Sequence, residues 1–145
     1  KEITLICGRY EGVDQRVVEN LVDEEISIGD YVISGGEVAS MVLLESIVRR
    51  MEGVPEDIGS ISNESFEDGL LDYPHYTRPE SIDNIPVPDV LLNGNHLEIA
   101  LWRRKMSLGL TWEKRPDLLK NVKLSKEDDK LLNEYKLERK KNAIK

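Results

Sequence analysis

Residues 28–37 read IGDYVISGGE. A short run of Tyr31, Val32 and Ile33 stands between Gly29 and the pair Gly35–Gly36, and a long apolar helical pattern follows at once. Glycines on either side of a buried strand mark places where the backbone turns sharply or lets something approach closely. The order strand, Gly-Gly, helix also sets the free N–H groups of a helix start beside a strand end, where open α/β sheets bind ligands. Taken alone, the stretch reads as a tight strand-to-helix turn whose glycines answer to sterics. A second stretch, GRYEG at Gly8–Gly12, changes that balance.

Working outward, Ile3 to Cys7 is an apolar run ended by Gly8 and predicts a buried strand. Val13, Val17, Val18 and Leu21 recur at helical spacing, with Asp14 in the favourable first turn. Ile26 and Ile28 alternate as a second short strand, and Tyr31 to Ser34 is a third. Glu37 to Met51 carries apolar residues over a broad face, which predicts a well-buried helix closed by Arg49 and Arg50 and stopped by Gly53 and Pro55. This alternation predicts an α/β layer with a parallel sheet.

Glu52 to Asp68 is rich in Glu, Asp, Ser and Gly and reads as a linker or mobile loop. Residues 69–79, GLLDYPHYTRP, are extended and rigid because two prolines bar a helix. Residues 93–108, NGNHLEIALWRRKMSL, form a helix with Asn95 as N-cap and Glu98 in a capping-box position. Pro116 can open a short helix, and Ser125 to Ile144 is a terminal helix. The predicted division is 1–52 as an α/β region, 53–70 as linker and 71–145 as a small helical domain.

The chain has 145 residues and a formal net charge of −8. Residues 1–72 hold 5 basic against 17 acidic side chains, and residues 73–145 hold 15 against 11. The acidic first half argues against wrapping nucleic acid over the whole surface, while the basic second half suits phosphate contacts. The single cysteine, Cys7, forms no internal disulfide, which suits a reducing cytoplasm. No apolar run approaches bilayer length. A start at Lys1 rather than Met suggests a piece of a longer protein.

His75 and His96 are far apart and one cysteine is no cluster, so metal-ligand spacing is absent. Walker and GxGxxG patterns are absent too. What remains is two glycine-flanked strand ends that can converge on one crevice. There Tyr10 offers a ring face, Glu11 an acceptor, and backbone amides near Ile28, Tyr31 and Ile33 could read the edge of a flat heterocycle. By pattern alone a ligand site and a pair of tight turns both stay open.

GRYEG, IGDYVISGGE, SFEDGLLDYPHYTRP, LLNGNHLEIALWRRKMSLGLTW and KRPDLL, in that order, closely resemble the bacterial tRNA (guanine-N1)-methyltransferases of the SPOUT class. The resemblance covers the later part of that family's length. It implies a trefoil-knotted parallel sheet, whose N-terminal strands are missing here, plus a small C-terminal helical domain. It implies a cytoplasmic homodimer with the active site shared between subunits. That enzyme transfers methyl from S-adenosylmethionine to N1 of the guanosine 3′-adjacent to the anticodon in tRNA. Magnesium is also implied, with no ligand set visible.

Carried over by motif, cofactor contacts fall on Gly8, Tyr10, Glu11, Ile28, Gly29, Asp30, Tyr31, Val32, Ile33, Gly35 and Gly36. Ala39 stands where the family has a proline. Arg49 matches the family's catalytic arginine. Glu64, just before Ser-Phe, occupies the general-base position, commonly Asp, and Asp72 is the second carboxylate considered. Guanine N1 must lose a proton to attack an electrophilic methyl, so a carboxylate in reach is chemically sensible. His75, Tyr76, Thr77, Arg78 and the cluster Arg103, Arg104 and Lys105 are the expected tRNA contacts. The alternatives are an inactive fragment or an RNA- or nucleotide-binding module that keeps the fold without catalysis, and a purely structural dimerisation role. The isolated chain is expected to turn over little or not at all.

Overall fold

The computed structural model describes residues 2–51 and 64–142. The chain divides into two compact units, Lys1–Glu56 and Asp57–Lys145. The expected helix stop at Gly53 and Pro55, residues 53–63 of the expected linker, and Ile144 lie outside the described residues.

In the first unit, α1 spans Gln15–Leu21 and α2 spans Glu37–Val48. Asp14 is the N-cap of α1, its carboxylate accepting from the Arg16 amide at 2.9 Å, which satisfies one of the helix's unpaired first-turn donors. Arg49 caps the C-terminus of α2, donating its backbone N–H to the Glu45 carbonyl.

The three expected strands, Ile3–Cys7, Ile26–Ile28 and Tyr31–Ser34, do not form a ladder among the described residues. Only an isolated antiparallel bridge joins Arg9 and Gly35. Among the described residues these stretches are extended segments without a parallel ladder. A strand exists only through hydrogen bonds to a neighbour, and apolar periodicity does not supply that neighbour. The same reason corrects the burial of α2. Met41 is 68% and Val42 50% exposed, because an all-round apolar helix is buried only where other elements surround it. No side chain of this unit is fully buried among the described residues.

The second unit holds the core. A two-stranded antiparallel hairpin, β1 Ser81–Ile82 and β2 Ile85–Pro86, turns at Asp83 and Asn84, whose φ angles are 51° and 63°. Two consecutive left-handed residues make the tight turn whose twist matches a hairpin, and Asp and Asn tolerate that region best after Gly. The sequence reading missed this hairpin, although Asp-Asn between two isoleucines was a signal for it. A 3₁₀ turn at Asp89–Leu91 leads into α3, His96–Lys114, followed by α4, Pro116–Leu119, and α5, Lys126–Asn142.

Asn95 is the N-cap of α3, accepting from the amides of Leu97 and Glu98. The capping-box return arm is corrected: the Glu98 carboxylate accepts from the Asn93 side chain instead, at 2.7 Å. The helix also runs past Leu108 through Gly109. That glycine lies against the Tyr135 ring, where an added Cβ would overlap the aromatic carbons. Gly109 is thus the close-approach point of α3 and α5, not a helix stop.

Leu70, Leu108, Leu131 and Leu132 form the buried cluster, with Leu101, Leu119, Val122 and Leu124 packed around it. Each fully buried leucine is worth roughly 1.5–3 kcal/mol. Residues 64–70, assigned to the linker by composition, are held to this unit. Leu70 is 1% exposed. The Leu71 amide donates to Thr111 Oγ1 at 2.8 Å, and Ser107 Oγ donates to the Leu71 carbonyl. Hydroxyls one helical turn apart on α3 thereby hold an extended segment that has no strand partner.

Candidate functional site

Among the described residues a cavity is found in each unit. In the first, the two glycine-rich loops meet. The Gly36 amide donates to the Gly8 carbonyl at 3.0 Å, and Arg9 Nε donates to Glu37 Oε1 at 2.6 Å. Cys7 Sγ and Ser40 Oγ lie 2.8 Å apart beneath them. A Cβ on Gly36 would come within 3.0 Å of the Cys7 backbone, so this crossing of loops needs glycine.

The cavity they enclose measures about 300 Å³ and is lined by Gly8, Tyr10, Ile28, Gly29, Tyr31, Ile33, Gly35 and Gly36 among the expected residues. Ala39 lines it too. Glu11, Asp30 and Val32 do not, and the Val32 side chain is 99% exposed. Arg9 and Ser27, which the sequence reading passed over, do contribute. In the sequence Arg9 is legible only as the residue between Gly8 and Tyr10.

The Tyr31 ring lies over Gly29, and its backbone amide is taken up by the Gly29 carbonyl at 3.0 Å. That amide is therefore engaged within the loop, whereas the N–H groups of Ile28 and Ile33 hold no hydrogen bond among the described residues. Two unengaged backbone donors, an aromatic ring and glycine-floored space suit a flat heterocycle with acceptor atoms on its edge. Arg49 sits just past α2, exposed. No group of three metal-ligating side chains is clustered among the described residues.

In the second unit the candidate carboxylates lie on the segment clamped to α3. Glu64 opens the turn, its carbonyl accepting from the Glu67 amide. Asp72 is engaged at both oxygens: Oδ1 accepts from the Tyr73 amide and Oδ2 lies 2.7 Å from His75 Nε2. Its own amide donates to Ser65 Oγ at 2.9 Å, which ties the two candidate acids to one local fold.

Three consecutive cations, Arg103, Arg104 and Lys105, meet different fates. Arg104 reaches Asp128 with Nε and Nη2 at 2.7 and 3.2 Å, and reaches Asp68 with Nη1. This bidentate pairing with the Arg104 guanidinium holds the Asp128 carboxyl down to about 2, with further help from Ser125. Lys105 Nζ lies 2.8 Å from Glu138 on α5. Both cations are therefore joined to carboxylates within the unit. Arg103 faces away and stacks on the Tyr73 ring, 4.8 Å from its centroid.

Arg103 also borders the second cavity, about 330 Å³, with His75, Tyr76, Thr77 and Arg78 in its lining. Tyr76 and Trp102 meet there at a centroid separation of 6.3 Å. Of the expected RNA contacts, the structure gathers His75, Tyr76, Arg78 and Arg103 and turns Arg104 and Lys105 to α5. On a 3.6-residue period, neighbouring positions point about 100° apart, so a run of three charges cannot share one face.

A family model described as tRNA (Guanine-1)-methyltransferase TrmD matches residues 1–121. The chain is 57% identical over 136 residues to a protein of Buchnera aphidicola named tRNA (guanine-N(1)-)-methyltransferase, covering 94% of this chain and 52% of that protein. Proteins of the same name from Tolumonas auensis and Legionella pneumophila are each 54% identical, with 93% and 95% of this chain and 54% and 55% of theirs covered. The chain thus spans about half the length of the curated relatives it matches.

Proposed function

The chain belongs to the tRNA (guanine-1)-methyltransferase family, and on that premise we propose that it serves methyl transfer from S-adenosylmethionine to N1 of the guanosine 3′-adjacent to the anticodon in tRNA. The observation that carries the reading is the meeting of the Gly8–Gly12 and Ile28–Gly36 loops around one cavity. The Ile28 and Ile33 amides would hold the cofactor's adenine edge, and the Tyr31 side chain would bound its ring. When bound, S-adenosylmethionine supplies a methyl group on a positively charged sulfur, which leaves as a neutral thioether.

The chain's own groups act on the acceptor. As guanine N1 forms its bond to the methyl carbon, its proton passes to a carboxylate, and Glu64 is assigned that role. Asp72, whose oxygens are occupied by Tyr73 and His75, is assigned to ordering the segment. Arg49 is assigned to the substrate's developing charge. Arg78, Arg103, His75 and Tyr76 are assigned to tRNA.

The reading includes a homodimer with a shared active site, a cytoplasmic location and a knotted parallel sheet. The sheet is supported by the apolar segments 3–7, 26–28 and 31–34, whose exposed isoleucines are suited to strand pairing. No helix among the described residues is long and apolar enough to cross a membrane.

Calorimetric titration of the chain with S-adenosylhomocysteine tests the proposal without RNA. Saturable binding that is lost in Gly35→Val, whose side chain would displace Arg9 and Glu37, is the expected result. A folded sample that gives no heat of binding overturns the assignment of this cavity.

A further inference from the structure

We propose that the cavity of the second unit holds one unstacked nucleotide, gripping its base and its phosphate together. The inference rests on the reading of this unit as the tRNA-binding part, and adds what unit of RNA the cavity takes.

The floor is apolar, from Val87, Leu91 and Ile99, and Tyr76 and Trp102 supply ring faces beside it. An apolar floor with aromatic faces beside it favours a flat ring over a hydrated ion. At about 330 Å³, the space suits a single nucleoside-sized group and not a duplex or a folded peptide element.

The rim supplies the charge. Neither Arg78 nor Arg103 makes an ion pair among the described residues, and the Arg103 guanidinium lies over the Tyr73 ring. Elsewhere in the unit, Arg104, Lys105, Arg115 and Arg139 are each paired with a carboxylate. Two guanidiniums left without carboxylates at the mouth of one aromatic cavity point to an anion supplied from outside. Arginine's planar fork matches phosphate oxygens bidentately. Glu80, also in the lining, gives an acceptor for a base amino group and disfavours a ligand that is anionic throughout. A base unstacked onto aromatic rings while arginines hold its phosphate is how single-stranded RNA is commonly gripped.

The chain holds 2 tryptophans, so Trp112→Phe leaves Trp102 as the sole tryptophan, read by exciting above the tyrosine band. Titrating that variant with guanosine 5′-monophosphate, guanosine and ribose 5-phosphate tests the proposal, and the Trp102 indole N–H shift in the unaltered chain gives a second readout. The monophosphate is expected to quench Trp102 saturably and to bind at least tenfold more tightly than either fragment. Arg103→Ala or Arg78→Ala should bring it to the level of guanosine.

Equal binding of guanosine and its monophosphate, or no response to either arginine substitution, overturns the proposal. Failure here with intact S-adenosylhomocysteine binding leaves the methyltransferase reading in place. Nucleotide binding here with no S-adenosylhomocysteine binding overturns the assignment of the first unit's cavity and keeps the nucleotide cavity.

Discussion

At the scale of single residues, Asp128 and Gly109 show how much one position can carry. Asp128 accepts from both Arg104 nitrogens and from Ser125, and its carboxyl titrates near 2 when folded, against 3.8 ordinarily. A depressed carboxylate contributes stability that is present above its unfolded value and lost as pH falls through the folded one. The contribution is on the order of 2 kcal/mol and should fade between about pH 4 and pH 2. Asp128→Asn is therefore expected to lower neutral-pH stability by that order and to flatten the acid limb of a urea-denaturation pH series. An acid limb identical to that of the parent chain would contradict this.

Gly109→Ala pushes a methyl into the Tyr135 ring and should cost about 1–3 kcal/mol by overpacking, read as a lower thermal midpoint. At the proposed site, Glu64→Gln should reduce methyl transfer about 10²–10⁴-fold in any preparation active on tRNA. S-adenosylhomocysteine binding should persist in the same variant; unchanged turnover would remove Glu64 from the mechanism.

At the scale of elements, the local signals were strong where a turn or cap depends on near neighbours alone. The Asn95 cap of α3 and the opening of α4 at Pro116 were legible because both satisfy or avoid backbone donors within one turn. Asn95→Ala should cost about 1 kcal/mol of stability, measured by chemical denaturation. The end of α3 was not legible. Gly109 carries a helix-breaking propensity of about 1 kcal/mol relative to Ala, and only its partner Tyr135, 26 residues on, shows why a glycine belongs inside the helix. The two-residue hairpin lay within reach of local reasoning. Asn84, at a φ of 63°, stands where this tight turn prefers glycine, so Asn84→Gly should raise the melting point.

At the scale of the whole molecule, the two units differ in what holds them. Every fully buried apolar side chain among the described residues belongs to the second unit. Native-state hydrogen exchange on this chain should therefore find its slowest amides in α3 and α5, with fast exchange over residues 2–14 and 22–34. Strand-like protection over 31–34 in the chain alone would show a ladder that the present structure lacks. The ligand-lining glycines were readable in sequence because glycine clustering between apolar runs has few other causes. Glu11, Asp30 and Val32 were expected from motif resemblance, and a motif does not determine which way a side chain faces.

The sequence by itself determined the family, the helices, the caps and the two glycine loops, since each is set by chemistry within a few residues or by motif identity over most of the chain. Tertiary structure alone decided which cations of the run 103–105 remain without a carboxylate, that Gly109 is a packing point, and that residues 64–72 are bound to α3. The reason is physical: charge pairing and close packing are set by partners tens of residues away, and no local pattern records whether Arg104 will meet Asp128 or Arg103 will meet Tyr73.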